Sequence, residues 1–271
     1  KAPFTGTCIT FYPGGKKLEM KAEYVNGKED GEVLKFYKNG VQWTKLNYAE
    51  GKPHGQWMYW EKDSTLRWEN NYHMGLKNGK QVYYFPNGNV KKKEEYLMDK
   101  KNGVFEQYYE DGGLKKEVGY KENKFNGVYK KYASDSTLKI EKNYNEGILD
   151  GVRKSWFANG KLRDEGSFVK GEKSGTWKSY NERGALVSEG SYRKNKPNGS
   201  WVYYSKTGGK ATEQSYVDGK LNGKSTVWYP NGKIQQESSY KAGKLHGKMT
   251  IYGKTGKVVS SSNYENGKRK M

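Results

Sequence analysis

Tyrosine recurs every 24 residues along this chain, and no insertion breaks the spacing between residues 24 and 264. The repeated tyrosines are Tyr24, Tyr48, Tyr72, Tyr96, Tyr120, Tyr144, Tyr192, Tyr216, Tyr240 and Tyr264, and Phe168 fills the remaining place. Counting this ring as position 0, glycine stands at position 7, a second ring at position 12, Gly or Ser at position 16 and mostly an aliphatic residue at position 18. A fixed period of this length is typical of repeat architectures.

Turn signals divide every repeat into two short segments. Asn-Gly dipeptides such as Asn39-Gly40 and Asn78-Gly79 recur at both division points, and these residues accept the positive φ of tight hairpin turns. The segments between them are rich in rings and too short for helices, which favours strands. We therefore predict an all-β fold, an elongated, twisted, single-layer antiparallel β-meander of about eleven 24-residue β-hairpin repeats. Residues 1–271 would form one continuous array, with 1–23 as an atypical N-terminal repeat and 265–271 as a truncated last repeat.

The repeat pattern also predicts a strand register. A three-residue loop at positions 14 to 16 would place position 12 opposite position 18, pairing Tyr108 with Leu114 and Trp156 with Leu162. Extending this pairing without interruption places position 10 opposite position 20. The repeat tyrosine, which shares the parity of positions 12 and 18, is then expected on their face of the sheet.

Position 9 would lie on the opposite face, where rings occur irregularly. They are candidates for a partner-binding surface because Trp and Tyr are enriched at interface hot spots. An equal alternative is that they complete the packing between hairpins. The residues concerned are Trp57, Phe105, Tyr129, Trp177 and Trp201.

Charge gives a second candidate surface. Fifty Lys and Arg against thirty Asp and Glu leave a formal net charge of +20. Many lysines share position 4 and would lie in one row, roughly 10 Å apart, two strand spacings. The row could bind phospholipid, lipopolysaccharide, another envelope polymer or an acidic partner, or it could serve only solubility and protection of the sheet edge. These predicted anion-binding residues are Lys28, Lys52, Lys100, Lys124, Lys196, Lys220, Lys244 and Lys268.

Several classes of function are disfavoured. The notable residues are repeat positions, so we expect no catalytic site, no metal site and no cofactor. The single cysteine, Cys8, is expected to be a half-buried strand thiol, and His54, His73 and His246 are expected at surface turns without metal-ligand spacing. No apolar run is long enough for a membrane-spanning helix. The rings are accounted for by the repeat, which argues against a nucleic-acid surface. Residue 1 is Lys rather than Met, so we expect the chain to be processed or truncated.

The pattern Y-x-x-G-K-x-x-G-x-W-x-x-Y-x-x-N-G, seen over Tyr48–Tyr59 and Tyr216–Gly232, resembles the MORN repeat. It is most similar to the variant form of bacterial proteins labelled YwqK-like antitoxins. The resemblance covers nearly the whole chain and implies β-hairpin arrays that act without enzymatic activity as protein-interaction scaffolds. It further implies that antitoxin-like relatives bind a toxin and that some members associate with lipid.

Two functions follow as expectations. The first is a non-enzymatic scaffold that binds a protein partner, in an antitoxin-like role or in a bacterial cell-envelope assembly. The alternative is a basic adaptor for anionic membrane or envelope surfaces. A bacterial periplasmic, outer-membrane-associated or secreted location fits both, and a cytoplasmic location is the alternative.

Overall fold

The computed structural model describes residues 2–271, and the chain divides into two compact halves, Lys1–Ser136 and Thr137–Met271. Each half is an antiparallel meander in which consecutive strands pair, which confirms the predicted all-β fold of hairpin repeats. One continuous array over residues 1–271 stays a prediction.

Each 24-residue repeat supplies one hairpin. The strands of the N-terminal half are β1 Gly6–Phe11, β2 Leu18–Val25, β3 Lys28–Phe36, β4 Gln42–Ala49, β5 Lys52–Pro53, β6 Gly55–Trp60, β7 Leu66–His73, β8 Leu76–Tyr84, β9 Val90–Leu97, β10 Lys100–Lys101, β11 Gly103–Tyr108, β12 Leu114–Lys121 and β13 Lys124–Tyr132. Those of the C-terminal half are β14 Leu138–Asn145, β15 Ile148–Trp156, β16 Leu162–Val169, β17 Glu172–Tyr180, β18 Leu186–Arg193, β19 Lys196–Tyr204, β20 Lys210–Val217, β21 Lys220–Trp228, β22 Ile234–Lys241, β23 Lys244–Tyr252, β24 Val258–Glu265 and β25 Lys268–Arg269.

Two-residue turns at positions 2 and 3 connect one repeat to the next. Both turn residues have positive φ, as at Asn26 (49°) and Gly27 (75°), which is the type I′ combination that matches the twist of antiparallel strands. We call these the tight turns. The prediction of a turn at Asn78-Gly79 is wrong, because this dipeptide lies within β8 and Gly79 pairs with Tyr96. Successive tight turns are joined by backbone hydrogen bonds, since the Gly51 N–H donates to the Glu29 carbonyl at 2.7 Å. The turns of neighbouring repeats are therefore held in line within each half.

Three-residue loops at positions 14 to 16 close the other end of each hairpin, as predicted. The Tyr37 N–H donates to the Val41 carbonyl at 2.8 Å, and Gly40 between them has a φ of 89°. The Asn39 amide donates to the Lys62 carbonyl in the next repeat at 2.9 Å, and the Tyr37 hydroxyl donates to the Trp60 carbonyl at 3.0 Å. These short loops are therefore also tied from repeat to repeat.

The register agrees with the prediction next to the short loops and departs from it further along. Tyr108 pairs with Leu114, but Gln107 pairs with Lys116, so a β-bulge at position 19 inserts one extra residue. The same irregularity recurs in the other hairpins. Position 10 consequently pairs with position 21, as in Glu106 with Glu117, and the predicted pairing of position 10 with position 20 is wrong.

The bulge also moves the repeat tyrosine to the other face. Position 9 pairs with position 22 and position 7 pairs with the next repeat tyrosine, so the tyrosines share the face of position 9. The prediction that they lie with positions 12 and 18 is therefore wrong. Positions 9 and 22 together contain many of the deeply buried side chains, and we call them the core row. Its members among the buried residues are Ala22, Val33, Leu46, Asn70, Gln81, Glu94, Val118, Trp177, Trp201, Ser225 and Ser238.

The first repeats show how this row is packed. Ala22, Val33 and Leu46 form a cluster, and Tyr24 and Tyr48 pack against it. Cys8 pairs with Ala22 and is half-buried, as predicted for a strand thiol.

Candidate functional site

The predicted partner-binding rings belong to the core row. Trp57 lies between Tyr48 and Tyr72, with ring centroids 5.1 Å away on each side. Trp177 and Trp201 are only 8% and 9% exposed, so both rings are packed within the sheet, and their partner-binding role stays a prediction.

The remaining predicted rings, Phe105 and Tyr129, are half-buried like Trp57. Phe105 lies 6.2 Å from the Tyr120 ring, and Tyr129 lies 6.4 Å from Phe125. A partner-binding role for Trp57, Phe105 and Tyr129 stays a prediction.

Both buried tryptophans cover a glycine on the preceding strand. A Cβ added to Gly166 would overlap the Trp177 ring, and one added to Gly190 would overlap the Trp201 ring. The indole N–H of Trp201 donates to the Ser191 carbonyl at 3.0 Å. A ring laid over a strand glycine protects the exposed backbone from water, which is how one sheet without a covering layer can bury apolar surface.

The core row of the N-terminal half includes a buried carboxylate. Glu94 is 5% exposed and forms ion pairs with Lys92 at 2.9 Å and Lys101 at 3.0 Å. Burial alone would raise the pKa of Glu94, but hydrogen bonds from the two ammonium groups outweigh it and hold the pKa below its ordinary value. Glu94 is therefore ionised at neutral pH and connects two strands electrostatically.

Lys116 adds a third cation beside this group, and no ion pair is found for it within residues 2–271. The Lys116 ammonium lies 4.5 Å from the centroid of Phe105 and is half-buried. Burial and then the charges of Lys101 and Lys131 lower the pKa of Lys116. Removing the Glu94 charge would leave these cations facing one another.

The predicted anion-binding lysines lie directly after the tight turns, and all eight are exposed. We call Lys28, Lys52, Lys100 and Lys124 of the N-terminal half, and Lys196, Lys220, Lys244 and Lys268 of the C-terminal half, the lysine edge. Within the described residues 2–271, an ion pair is found for Lys100, with Glu122, and for no other member of the set. The stem of Lys28 packs over Gly51 of the next tight turn, which leaves its ammonium in water.

The residues opposite these lysines are mostly cationic or apolar. Lys124 pairs with Lys121 and Lys244 pairs with Lys241 across the strands, an arrangement that like-charge repulsion disfavours. Three lysines pair instead with exposed aliphatic residues: Lys28 with Val25, Lys100 with Leu97 and Lys220 with Val217. The lysine edge therefore combines unneutralised charge with exposed apolar side chains.

The histidines are arranged differently from the sequence expectation. His54 lies between β5 and β6 and His73 ends β7, and their ring centroids are 5.2 Å apart, a pair that sequence spacing did not reveal. Over residues 2–271 no group of three or more His, Cys, Asp or Glu side chains is positioned to hold a metal ion.

A cleft in the N-terminal half was not predicted. It has a volume of about 740 Å³ and is lined by Tyr37, Trp43, Tyr59, Glu61, Lys62, Asp63, Thr65, Arg67 and Pro86. The Tyr37 and Trp43 centroids are 5.6 Å apart, and Tyr59 stacks on Trp68 at 5.6 Å with 10° between the ring planes. We call it the aromatic cleft. It lies beside the short loops and shares no residue with the lysine edge.

No helix in the described part of the chain has the length and apolar character needed to cross a membrane.

Comparison with known proteins identifies the repeat. A family model described as MORN repeat variant matches six segments, residues 77–97, 101–122, 149–170, 173–194, 221–242 and 245–266. No curated protein sequence matches the chain. Among solved structures, the crystal structure of TcdB2-TccC3 aligns with 96% of this chain at 13% identity and a TM-score of 0.20, and the chain spans 19% of that structure's length.

Proposed function

Because the chain belongs to the MORN-repeat family, whose repeats generally form scaffolds for protein or membrane interaction, we propose that it is a non-enzymatic scaffold whose lysine edge docks on an anionic lipid surface. The observation that carries this proposal is the lysine edge itself, in which seven of eight ammonium groups have no ion-pair partner within residues 2–271. Phosphate headgroups would neutralise these charges.

The residues paired across the strands with the lysine edge favour lipid binding over the alternative that these lysines serve only solubility. The pairs Lys121–Lys124 and Lys241–Lys244 bring like charges together, and an external anion would relieve their repulsion. Exposed Val25, Leu97 and Val217 beside the lysines could enter the boundary between headgroups and acyl chains. Each lysine near an anionic membrane is worth about 1 kcal/mol, so the four in one half would contribute about 4 kcal/mol, roughly a thousandfold in affinity.

A protein partner is the second candidate, and a specific observation favours it. Val104 and Val128 occupy the same position in consecutive repeats and are both exposed, although neither belongs to the core row. Such a pair could anchor a partner protein in an antitoxin-like complex or an envelope assembly. A bacterial periplasmic, outer-membrane-associated or secreted location is proposed with either candidate.

We expect the full chain to co-sediment with phosphatidylcholine vesicles that contain phosphatidylglycerol and not with phosphatidylcholine vesicles alone. Changing Lys52, Lys124 and Lys244 together to Gln should weaken binding roughly a hundredfold, because three lysine–headgroup attractions are lost. Binding should also weaken as salt rises, since these charges are exposed to screening ions. Vesicles containing lipopolysaccharide, measured in parallel, distinguish that source of phosphate from phospholipid.

The matched control changes Lys38, Lys206 and Lys254 to Gln, which removes the same charge from exposed positions at the short loops. We expect it to bind as the parent protein does. Equal weakening by both triple variants would show attraction by net charge alone and would contradict the assignment to the lysine edge. Failure of the parent protein to bind either anionic vesicle would overturn the lipid proposal and leave the protein partner as the candidate.

A further inference from the structure

The aromatic cleft lies apart from the lysine edge and has a different chemistry. Its most exposed ring is Trp43, at 39%, and this residue stands at the bulge position 19. The bulge leaves Trp43 without a cross-strand pair, since Phe36 pairs with Gln42 and Lys35 with Thr44. A large ring that the sheet does not cover is available for a ligand.

Neighbouring rings extend this surface. Tyr37 lies 5.6 Å from Trp43, and Tyr59, one repeat further, is fixed by its parallel stack on Trp68. The Tyr37 hydroxyl is held by the Trp60 carbonyl at 3.0 Å. The rings lining the cleft are thus positioned before any ligand arrives, which reduces the entropy lost on binding.

Polar groups of both signs surround the rings. Glu61 and Arg67 form an ion pair at 3.4 Å, so a carboxylate and a guanidinium are presented side by side. Asp63 accepts a hydrogen bond from the Thr65 N–H at 2.9 Å, and the Lys62 ammonium lies 6.0 Å from the Tyr37 centroid. Two anionic and two cationic side chains therefore line the cleft, in a chain whose net charge is +20.

The equal numbers of anionic and cationic side chains in the cleft favour a neutral ligand. An anionic ligand would be repelled by Glu61 and Asp63, and a cationic ligand would be repelled by Lys62 and Arg67. The groups that could attract a cation are already occupied, since Arg67 pairs with Glu61 and Lys62 lies by the Tyr37 ring. A neutral ligand with one apolar face and many hydroxyl groups would contact both the aromatic rings and the charged side chains of the cleft. Its C–H face would pack on an aromatic ring, and its hydroxyls would donate to Glu61 and accept from Arg67.

We propose that the aromatic cleft binds a neutral glycan, with a pyranose ring stacked on Trp43 and its hydroxyls held by Glu61 and Arg67. The cleft volume of about 740 Å³ lies within the usual range for small-molecule sites. Trp43 also lines a second cavity of about 290 Å³, together with Thr10, Tyr12, Glu19, Met20, Lys35 and Phe36. One ring between two cavities fits an oligosaccharide better than a single sugar.

The test uses the full chain and saturation-transfer NMR with three neutral probes, maltotriose, cellotriose and triacetylchitotriose. We expect at least one to bind, and Trp43→Ala to lower its affinity roughly tenfold or more through loss of the stacking surface. Arg67→Ala should weaken the same probe, because the guanidinium hydrogen-bond donors are lost. The matched control is Tyr203→Ala, which removes a ring of equal exposure, 39%, outside the cleft, and should leave binding unchanged.

Several results would overturn the proposal. One is that none of the three trisaccharides binds. Another is that tetramethylammonium binds and loses affinity in Trp43→Ala, which would identify a cation cage. A third is that Trp43→Ala and Tyr203→Ala change trisaccharide binding equally. Vesicle binding through the lysine edge is measured separately, so failure of one assignment leaves the other standing.

Discussion

Replacing Trp201 by alanine is expected to lower the free energy of unfolding by about 3 kcal/mol, the lower end of the range for removing a buried tryptophan. The ring covers Gly190, lies 5.2 Å from the ring of Tyr192 and donates its N–H to the Ser191 carbonyl. A single sheet has no second layer to collapse into the space, so these contacts are not replaced. Urea unfolding followed by circular dichroism measures the change.

The control for Trp201 is Tyr203→Ala on the same strand, where an exposed ring is lost and a much smaller effect is expected. Gly190→Ala provides a second arm, because its new Cβ would overlap the indole and destabilise the protein. In the Trp201→Ala background the same Cβ meets no ring, so Gly190→Ala should cost less there. Additive effects of the two changes would contradict the packing of Trp201 over Gly190.

Replacing Glu94 by glutamine is expected to destabilise the N-terminal half by about 2 kcal/mol at neutral pH. Breaking a buried ion pair costs about 3–5 kcal/mol when the partner charge is left buried, and the partial exposure of Lys92 and Lys101 reduces this figure. The variant also leaves Lys116 beside the Lys101 ammonium without the offsetting charge of Glu94. Urea unfolding of the parent and variant proteins measures the difference.

The pH dependence of this difference has a definite sign. The folded-state pKa of Glu94 is lowered, so its contribution is present above the ordinary carboxyl pKa and is lost as pH falls through the lowered folded value. Parent and Glu94→Gln proteins should therefore converge in stability in acid. Glu122→Gln, which breaks the exposed pair with Lys100, is the control and should change stability by roughly a few tenths of a kcal/mol. A difference between parent and Glu94→Gln that stays constant into acid would contradict the ionised, buried state of Glu94.

The repeat pattern was sufficient to predict some of the features that the repeats share. The hairpins, the short loops at positions 14 to 16 and the pairing of Tyr108 with Leu114 are confirmed because glycine and ring spacing define them locally. The bulge at position 19 was missed. An extra residue there leaves the 24-residue period intact, so the period carries no sign of it. Because of that one extra residue, the repeat tyrosines lie on the face opposite to the predicted one.

Burial of the tryptophans did leave a signal in the sequence. Gly166 precedes Trp177 by eleven residues, and Gly190 precedes Trp201 by eleven residues, so each ring has a glycine beside it on the preceding strand. Reading that pair as ring over glycine would have placed both rings in the core. The exposure of the lysine edge was predictable, since a long charged side chain directly after a tight turn keeps its ammonium group in water.

The aromatic cleft could not be predicted from the period. Trp43 and Arg67 share position 19, which is Lys or Arg in five repeats and varies in the others, and their proximity depends on the bulge. The proximity of His54 and His73 was missed for a related reason: their rings meet beside the first pair of β6 and β7, Gly55 with Tyr72, and the bulge sets that register. Features that differ between repeats therefore required the structure.

Amide hydrogen exchange of the intact protein, with and without phosphatidylglycerol vesicles, tests docking of the lysine edge most directly. The account predicts slower exchange with vesicles at the tight turns and the lysines that follow them, such as residues 26–28, 122–124 and 242–244. Exchange at the short loops, such as residues 38–40 and 254–256, should be unchanged. Slowing at the short loops, or no slowing at the tight turns of a vesicle-bound protein, would contradict the account.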